Sequence, residues 1–77
     1  MRLIVFPNPA NTNIFVESSE NVALQLLDPQ GREMIKGWKI NAGQLKEVNI
    51  KGLPVGIYIL KISNGQTSTS RKIIVNK

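Results

Sequence analysis

Short runs of apolar residues, separated by turn residues, recur along the whole of this 77-residue chain. The runs Leu3–Phe6 and Ile57–Leu60 are each four residues long, and Val22, Leu24 and Leu26 alternate with Ala and Gln. Such runs are too short for a core helix, and a period of two is that of a strand with one buried face. No segment shows a helical period. The pattern therefore predicts an all-β chain.

Turn signals divide the chain into seven predicted strands. Prolines at positions 7 and 9 end the first strand, since proline removes a backbone donor and fixes φ. We predict strands over 2–6, 13–17, 22–26, 32–40, 45–50, 57–63 and 67–75. Gly37 indicates a bulge in the fourth strand, and the sixth is apolar enough for the centre of a sheet. This spacing predicts one domain over 1–77, a seven-stranded immunoglobulin-like antiparallel β-sandwich.

Two of the turns carry specific conformational predictions. Asp28-Pro29-Gln30-Gly31 has the residues of a type I turn that is closed by a left-handed glycine. Asn64-Gly65 is typical of a two-residue type I′ hairpin, which needs a positive φ at both positions. Each turn would join strands that lie next to each other in a sheet.

The chain contains neither cysteine nor histidine. A disulfide framework and the usual zinc ligand sets are therefore excluded, and no serine has a histidine base. The five acids are spread over different strands and turns, so neither a catalytic carboxylate pair nor a calcium site is predicted. We expect a protein that is not an enzyme and that has no catalytic residue, metal or cofactor.

Ten Lys and Arg against five Asp and Glu give a net charge of +5. The cations are single residues without a basic run, which favours solvated positions that protect sheet edges. Trp38 lies between Lys36 and Lys39 and offers a ring for a stacked base, but we favour core packing for it. Nucleic acid is not an expected partner. Membrane insertion is not expected either, because a spanning helix needs roughly 20 apolar residues.

A tyrosine near the start of the sixth strand indicates how that strand is fixed. Leu53-Pro54-Val55-Gly56-Ile57-Tyr58 resembles the tyrosine corner of immunoglobulin-like sandwiches, in which the hydroxyl bonds to backbone a few residues upstream. We assign fold-determining roles to Asp28, Gly31, Leu53, Gly56 and Tyr58.

Four short motifs follow one another along the chain. They are Pro7-Asn8-Pro9-Ala10 with Ile14-x-Val16, Leu24-x-Leu26-x-Asp28-x-x-Gly31-Arg32, Leu53-x-x-Gly56-x-Tyr58-x-Leu60, and Arg71-Lys72-Ile73-Ile74-Val75. Their order and spacing are similar to those of the type A C-terminal sorting domain of the type IX secretion system. The resemblance runs from about Ile4 to the end of the chain.

The resemblance implies a non-catalytic secretion signal at the C-terminus of an exported cargo protein of a diderm bacterium. The parent would pass through the periplasm, and the type IX outer-membrane translocon would read the folded domain. A surface sortase would then remove it and join the cargo to an anionic lipopolysaccharide at the cell surface. The cargo and its signal peptide would lie upstream, which makes Met1 an added start.

Residues at both ends of the chain are the candidates for partner recognition. They are Pro7, Asn8, Pro9, Arg71, Lys72, Ile74 and Val75. A carbohydrate-binding or adhesion module is the alternative, and it would need exposed aromatic side chains, for which the sequence offers only Trp38. A charge-driven nucleic-acid binder is a second rival, and a homodimer through edge strands is a further expectation.

Overall fold

A computed structural model of the chain describes residues 2–76, except for the side chains of residues 36 and 37. Met1 and Lys77, and with them the expectation about Met1, lie outside the described residues. The strands are β1 Leu3–Phe6, β2 Asn13–Ser18, β3 Val22–Leu27, β4 Glu33–Ile40, β5 Leu45–Asn49, β6 Gly56–Ser63 and β7 Ser68–Val75. Ala10 adds a further extended position, as an isolated parallel bridge to Val75. The all-β prediction is confirmed over the described range, and each predicted strand differs from the observed one by one residue at one end.

The strands form two antiparallel sheets. One has three strands in the order β1-β2-β5, and the other has four in the order β4-β3-β6-β7. β6 lies between β3 and β7, so the prediction of a central position for the most apolar strand is confirmed. The edges of the four-stranded sheet are β4 and β7.

Alternating side chains from both sheets form one core. On β2, Ile14 and Val16 are buried while Asn13 and Phe15 are only partly so, as a period of two requires. The buried apolar residues are Ala10, Ile14, Val16, Val22, Leu24, Leu26, Ile40, Val48, Ile50, Tyr58, Leu60, Ile62, Ile73 and Val75. Two of them, Ile73 and Val75, belong to the last strand, so this strand is part of the core and not an appendage.

The fourth strand is bulged where the sequence predicted it. Leu24 pairs with Trp38, whereas Leu26 pairs with Ile35, so β4 has an extra residue at positions 36–37. Beyond the bulge, Trp38 is half-buried and packs against the core, and the Nζ of Lys46 lies 5.9 Å from the centre of its ring. The prediction that this tryptophan packs against the core is confirmed.

The turn between β6 and β7 differs from the prediction. Gly65 has a φ of +94°, but Asn64 has no positive φ, so a type I′ turn is wrong. Four residues separate the closing pair Ser63 and Ser68. The Asn64 Oδ1 accepts the backbone N–H groups of Gln66 and Thr67 at 2.9 and 2.8 Å. This side-chain acceptor stabilises a wider loop, which is the reason for the difference.

Candidate recognition surface

The first and the last of the four motifs are in direct contact. The Asn8 Nδ2 donates to the carbonyl oxygen of Lys72 at 2.7 Å, and the Asn8 Oδ1 accepts the backbone N–H of Ile74 at 3.0 Å. A side-chain amide has the donor and the acceptor that a neighbouring strand would offer. Asn8 therefore takes the place of a strand residue along the outer edge of β7.

Ala10 continues this contact toward the end of the chain. Its N–H donates to the carbonyl oxygen of Ile74 at 2.7 Å, and its own carbonyl oxygen accepts the N–H of Asn76 at 2.8 Å. Ala10 is 1% exposed and belongs to the core. The segment 7–10, whose Phe6–Pro7 and Asn8–Pro9 bonds are both cis, thus covers the C-terminal half of the edge of β7.

The second motif forms a closed turn around a buried carboxylate. Asp28 is 5% exposed, and its Oδ1 accepts the backbone N–H groups of Gln30 and Arg32 at 3.0 and 2.8 Å. Its Oδ2 accepts the Arg32 Nε at 2.6 Å, and its carbonyl oxygen accepts the N–H of Gly31 at 2.9 Å. Gly31 has a φ of +87°, which is the left-handed conformation that the sequence predicted.

Two opposing effects set the charge of Asp28. Burial raises the pKa of its carboxyl group, but the hydrogen bonds and charge of Arg32, together with the N–H of Gln30, lower it more. The net result is a pKa below the ordinary value, so Asp28 is an anion at neutral pH. The Arg32 side chain is 77% exposed and presents the rest of its guanidinium group to solvent.

The third motif contains the predicted tyrosine corner. The hydroxyl of Tyr58, whose ring is buried, donates to the carbonyl oxygen of Pro54 at 2.6 Å. Leu53, half-buried, packs against the core just before this turn. Gly56 has an ordinary φ, and a Cβ placed on it would meet only the Tyr58 Cε1 at 3.9 Å. The fold therefore has room for a Cβ atom at Gly56.

All four motifs meet at one end of the sandwich. Ile74, which Asn8 holds, pairs with Ile57 across β6 and β7, and Gly56 pairs with Val75. A shallow cleft of about 240 Å³ lies between the turn 28–32 and the segment 54–58. We call this end of the domain, formed by residues 7–10, 28–34, 53–58 and 73–75, the motif end.

Exposed apolar side chains surround the cleft of the motif end. Met34, Val55 and Ile57 line it, with exposed fractions of 37, 62 and 48%, and Ile74 stands next to Ile57 with 37%. Four of the seven large apolar side chains that are exposed among the described residues thus lie together. Arg32 stands at the same cleft, so the surface combines apolar contact area with a cation.

The structure places the predicted recognition residues in different environments. Pro7, Asn8 and Pro9 are exposed, as are Arg71, Lys72 and Ile74, but the amide of Asn8 is already bonded to β7. Val75 is 1% exposed, so a partner does not reach it in the folded domain. The sequence analysis missed Met34, Val55 and Ile57. Ile57 had a usable signal, because the period of two places it on the face opposite Tyr58.

A second, smaller aromatic surface lies on the other sheet. The rings of Phe6 and Phe15 stack with their centres 5.4 Å apart, and the two residues pair across β1 and β2. Phe6 is 44% exposed. The sequence offers Trp38 as the candidate exposed aromatic; in the structure Trp38 packs against the core and Phe6 is exposed.

Three features that could indicate a further kind of site are absent from the described residues. No group of three or more acids comes together in residues 2–76 as a possible metal site, and no helix in this range has the length and apolar character to cross a membrane. Every buried side-chain nitrogen and oxygen of the described part has a hydrogen-bond partner.

Comparison with known sequences identifies the family of the domain. The secretion system C-terminal sorting domain family matches residues 4–76, nearly the whole chain. Among curated proteins, no sequence matches. The family match spans all four motifs, and with them every element of the motif end. The chain therefore belongs to the family of C-terminal sorting domains of the type IX secretion system, whose members are signals for export toward the cell surface or the extracellular space.

Proposed function

We propose that this domain directs an upstream cargo protein through the type IX outer-membrane translocon and that the translocon reads it at the motif end. The cargo passes through the periplasm, and a surface sortase then removes the domain. The domain itself carries out no chemistry. The observation that carries the proposal is the cleft between the turn 28–32 and the segment 54–58, whose apolar border is exposed to solvent. Exposed apolar clusters with a polar rim are typical of protein-binding sites.

We infer further that the sandwich is immunoglobulin-like. The sheet orders β1-β2-β5 and β4-β3-β6-β7 support this assignment, with the fourth strand on the sheet of the third, sixth and seventh. The bond from Tyr58 to Pro54 is the second support, because the tyrosine corner lies at this place in such folds. This arrangement leaves the ends of the sandwich as the natural sites for recognition, and the motif end is one of them.

A secreted reporter tests the proposed function directly. The domain is fused to the C-terminus of a reporter that carries an ordinary signal peptide, in a bacterium with a type IX system. We expect the reporter outside the cell when the domain is present and in the periplasm when it is absent. A reporter that stays in the periplasm with the intact, folded domain contradicts the proposal.

Two serine substitutions localise the recognition to the motif end. Val55→Ser and Ile57→Ser remove exposed apolar area next to the cleft without touching the core, so the domain remains folded and export falls. Leu45→Ser is the matched control, because Leu45 is 53% exposed on the other sheet. Equal export of all three variants would place the recognition surface elsewhere.

Deletion of the last strand is a less informative test than single substitutions on the surface. We expect that removing residues 71–77 abolishes export. The deletion removes Ile73 and Val75 from the core and leaves residues 56–60 of β6 without their partners on β7. Export would be lost through unfolding alone, so single substitutions on the surface are needed.

A carbohydrate-binding or adhesion module remains the second candidate, favoured by the exposed ring of Phe6. Aromatic rings on an outer sheet face offer a stacking surface, here the pair of Phe6 and Phe15. Binding to a glycan array at micromolar strength that is lost in Phe6→Ala would support it. No binding to any glycan would remove this candidate.

A further inference from the structure

The edge of β7 is covered along only half of its length. Asn8 and Ala10 bond to the backbone from Lys72 to Asn76. Ile74 directs both its N–H and its carbonyl oxygen toward this segment. Alternate residues of a strand direct their backbone groups to the same side, so Ser68 and Ser70 direct theirs away from β6 as well.

The other half of this edge has nearly free hydrogen-bonding groups. Over the described residues we find one contact to the outward backbone groups of Ser68 and Ser70, from the Arg71 Nη1 to the carbonyl oxygen of Ser70 at 3.3 Å. This is a long contact for a hydrogen bond. A row of backbone donors and acceptors without partners is a template for another strand. We call residues 68–72 of β7 the open edge.

The remaining edge strands are less suited to pairing. β4 is bulged, and a bulge twists an edge away from a potential partner. β1 has four residues and is followed by Pro7, and β5 has five. In contrast, β7 pairs with β6 over eight consecutive residues without a shift in register. A regular strand with an open half is the best of the available templates.

The charge around the open edge is positive. Arg71 and Lys72 belong to it, and Lys61 pairs with Ser70 on the neighbouring strand. Neither β6 nor β7 contains an acid. Glu33 is on β4, with two strands between it and β7; it lines the same cavity as Lys61 and Ser68, but its carboxylate already accepts the Gln25 side chain. Glu20 accepts the Asn64 side chain at the loop beyond the open edge. A second copy of this chain would add another net charge of +5, so an acidic strand fits better.

We propose that the open edge accepts an extended, acidic segment of a partner protein as an additional strand of the four-stranded sheet. Main-chain hydrogen bonds at Ser68, Ser70 and the N–H of Lys72 hold the segment, which is recognition by strand addition. A carboxylate of the segment attracts the Arg71 guanidinium, because a charge-assisted bond is stronger than its long contact with Ser70. This proposal rests on the proposed function, since the partner is a protein of the secretion machinery.

A proline at Ser70 tests the backbone contact. Ser70→Pro removes an N–H that points away from β6, and proline is accepted at such a position of an edge strand. Ser70→Ala is the matched control, because it changes the side chain and keeps the N–H. In the reporter fusion we expect Ser70→Pro to lower the exported fraction about tenfold and Ser70→Ala to leave it unchanged. Amide NMR dispersion of the purified domains checks that both variants fold.

The outcomes separate the two proposals. Export of the unmodified fusion is the requirement of the proposed function, so its absence overturns that function. Export of the unmodified fusion together with equal export of folded Ser70→Pro overturns strand addition and leaves the sorting function standing.

If Ser70→Pro does not fold, a pair of charge reversals tests the proposal instead. Lys72→Glu and Lys39→Glu lower the net charge equally, at the open edge and on β4 respectively. We expect a several-fold loss of export only for Lys72→Glu, and equal export of the two overturns the proposal. A loss with Lys72→Glu but not with folded Ser70→Pro also overturns it, because an anionic surface would then bind the side chains without any added strand.

Discussion

The Oδ1 of Asn8 accepts the backbone N–H of Ile74 at 3.0 Å, although 66 residues separate the two along the chain. The Nδ2 of the same amide donates to the carbonyl oxygen of Lys72. Two candidates that the sequence placed at opposite ends of the chain are therefore one structural unit. Under the proposed function, recognition at this place would need the folded domain, because the unfolded chain does not bring the two ends together.

Replacing Asn8 tests the strength of this contact. Asn8→Ala removes two hydrogen bonds to β7, and we expect it to lower the free energy of unfolding by about 1 kcal/mol, because both bonds are exposed to solvent. Asn8→Asp keeps the acceptor for Ile74 and loses the donor to Lys72. We therefore expect its loss in the free energy of unfolding to differ from that of Asn8→Ala. Urea denaturation measures both. Asn11→Ala, at an exposed position of the same segment, is the control and is expected to change little.

Two substitutions at Tyr58 separate the contribution of its hydroxyl group to stability from that of its ring. Tyr58→Phe keeps the buried ring and loses the bond to Pro54, so we expect a loss of about 1 kcal/mol in the free energy of unfolding. Tyr58→Ala also leaves a cavity in the core, and we expect about 3–5 kcal/mol. Denaturant titrations of the two variants give the difference. Equal losses would show that the hydroxyl group, and not the ring, dominates.

Glycines at two turns are expected to respond differently to substitution. Gly31→Ala forces a side chain into a φ of +87°, which costs about 1 kcal/mol of stability. Gly52→Ala is the control, because Gly52 has no positive φ and a Cβ there meets nothing within 4 Å. Thermal unfolding of both variants measures the contrast. A loss at Gly52 as large as that at Gly31 would contradict the conformational explanation.

The lowered pKa of Asp28 predicts that the domain loses stability in acid. Its pKa in the folded domain lies below the ordinary value of 3.8, so the folded state favours the anion. The contribution is therefore fully present above the ordinary pKa and is lost as the pH falls through the folded-state pKa. Asp28→Asn removes this part of the pH dependence in urea denaturation across the same range.

Glu20 contributes in the same acid range and has to be separated from Asp28. The hydrogen bond from the Asn64 side chain lowers the pKa of Glu20, in spite of partial burial that raises it. The difference between Glu20→Gln and the double variant with Asp28→Asn isolates the share of Asp28. A pH dependence in Glu20→Gln that is the same with or without Asp28→Asn would contradict the prediction.

Much of the fold could be predicted because its signals are local. The period of two gave the strands, and Asp28 with Gly31 and Tyr58 with Pro54 act within four residues of each other. The type I′ prediction failed for a local reason too, since the Asn64 side chain competes for the backbone N–H groups of its own loop.

The recognition surface could be predicted only in part. Alternation places Ile57 on the outer face, but its proximity to Met34 and Ile74 depends on which strands share a sheet. The contact between Asn8 and β7 has no signal in the sequence, because any exposed asparagine has the same amide. Long-range pairing therefore decides the part of the surface that composition and spacing leave undetermined.

The bridge between Ala10 and Val75 makes folding of the domain dependent on an intact C-terminal strand. It joins the first motif to the last strand, and both residues are buried in the same core. Contacts between such distant residues form only after a large loop is closed, and they need the last strand to be present. A polypeptide that ends before residue 73 lacks the core side chains and the edge that Asn8 binds. Under the proposed function, premature termination or C-terminal proteolysis would leave a cargo without a folded sorting signal. Only cargo proteins with an intact C-terminus would then leave the cell.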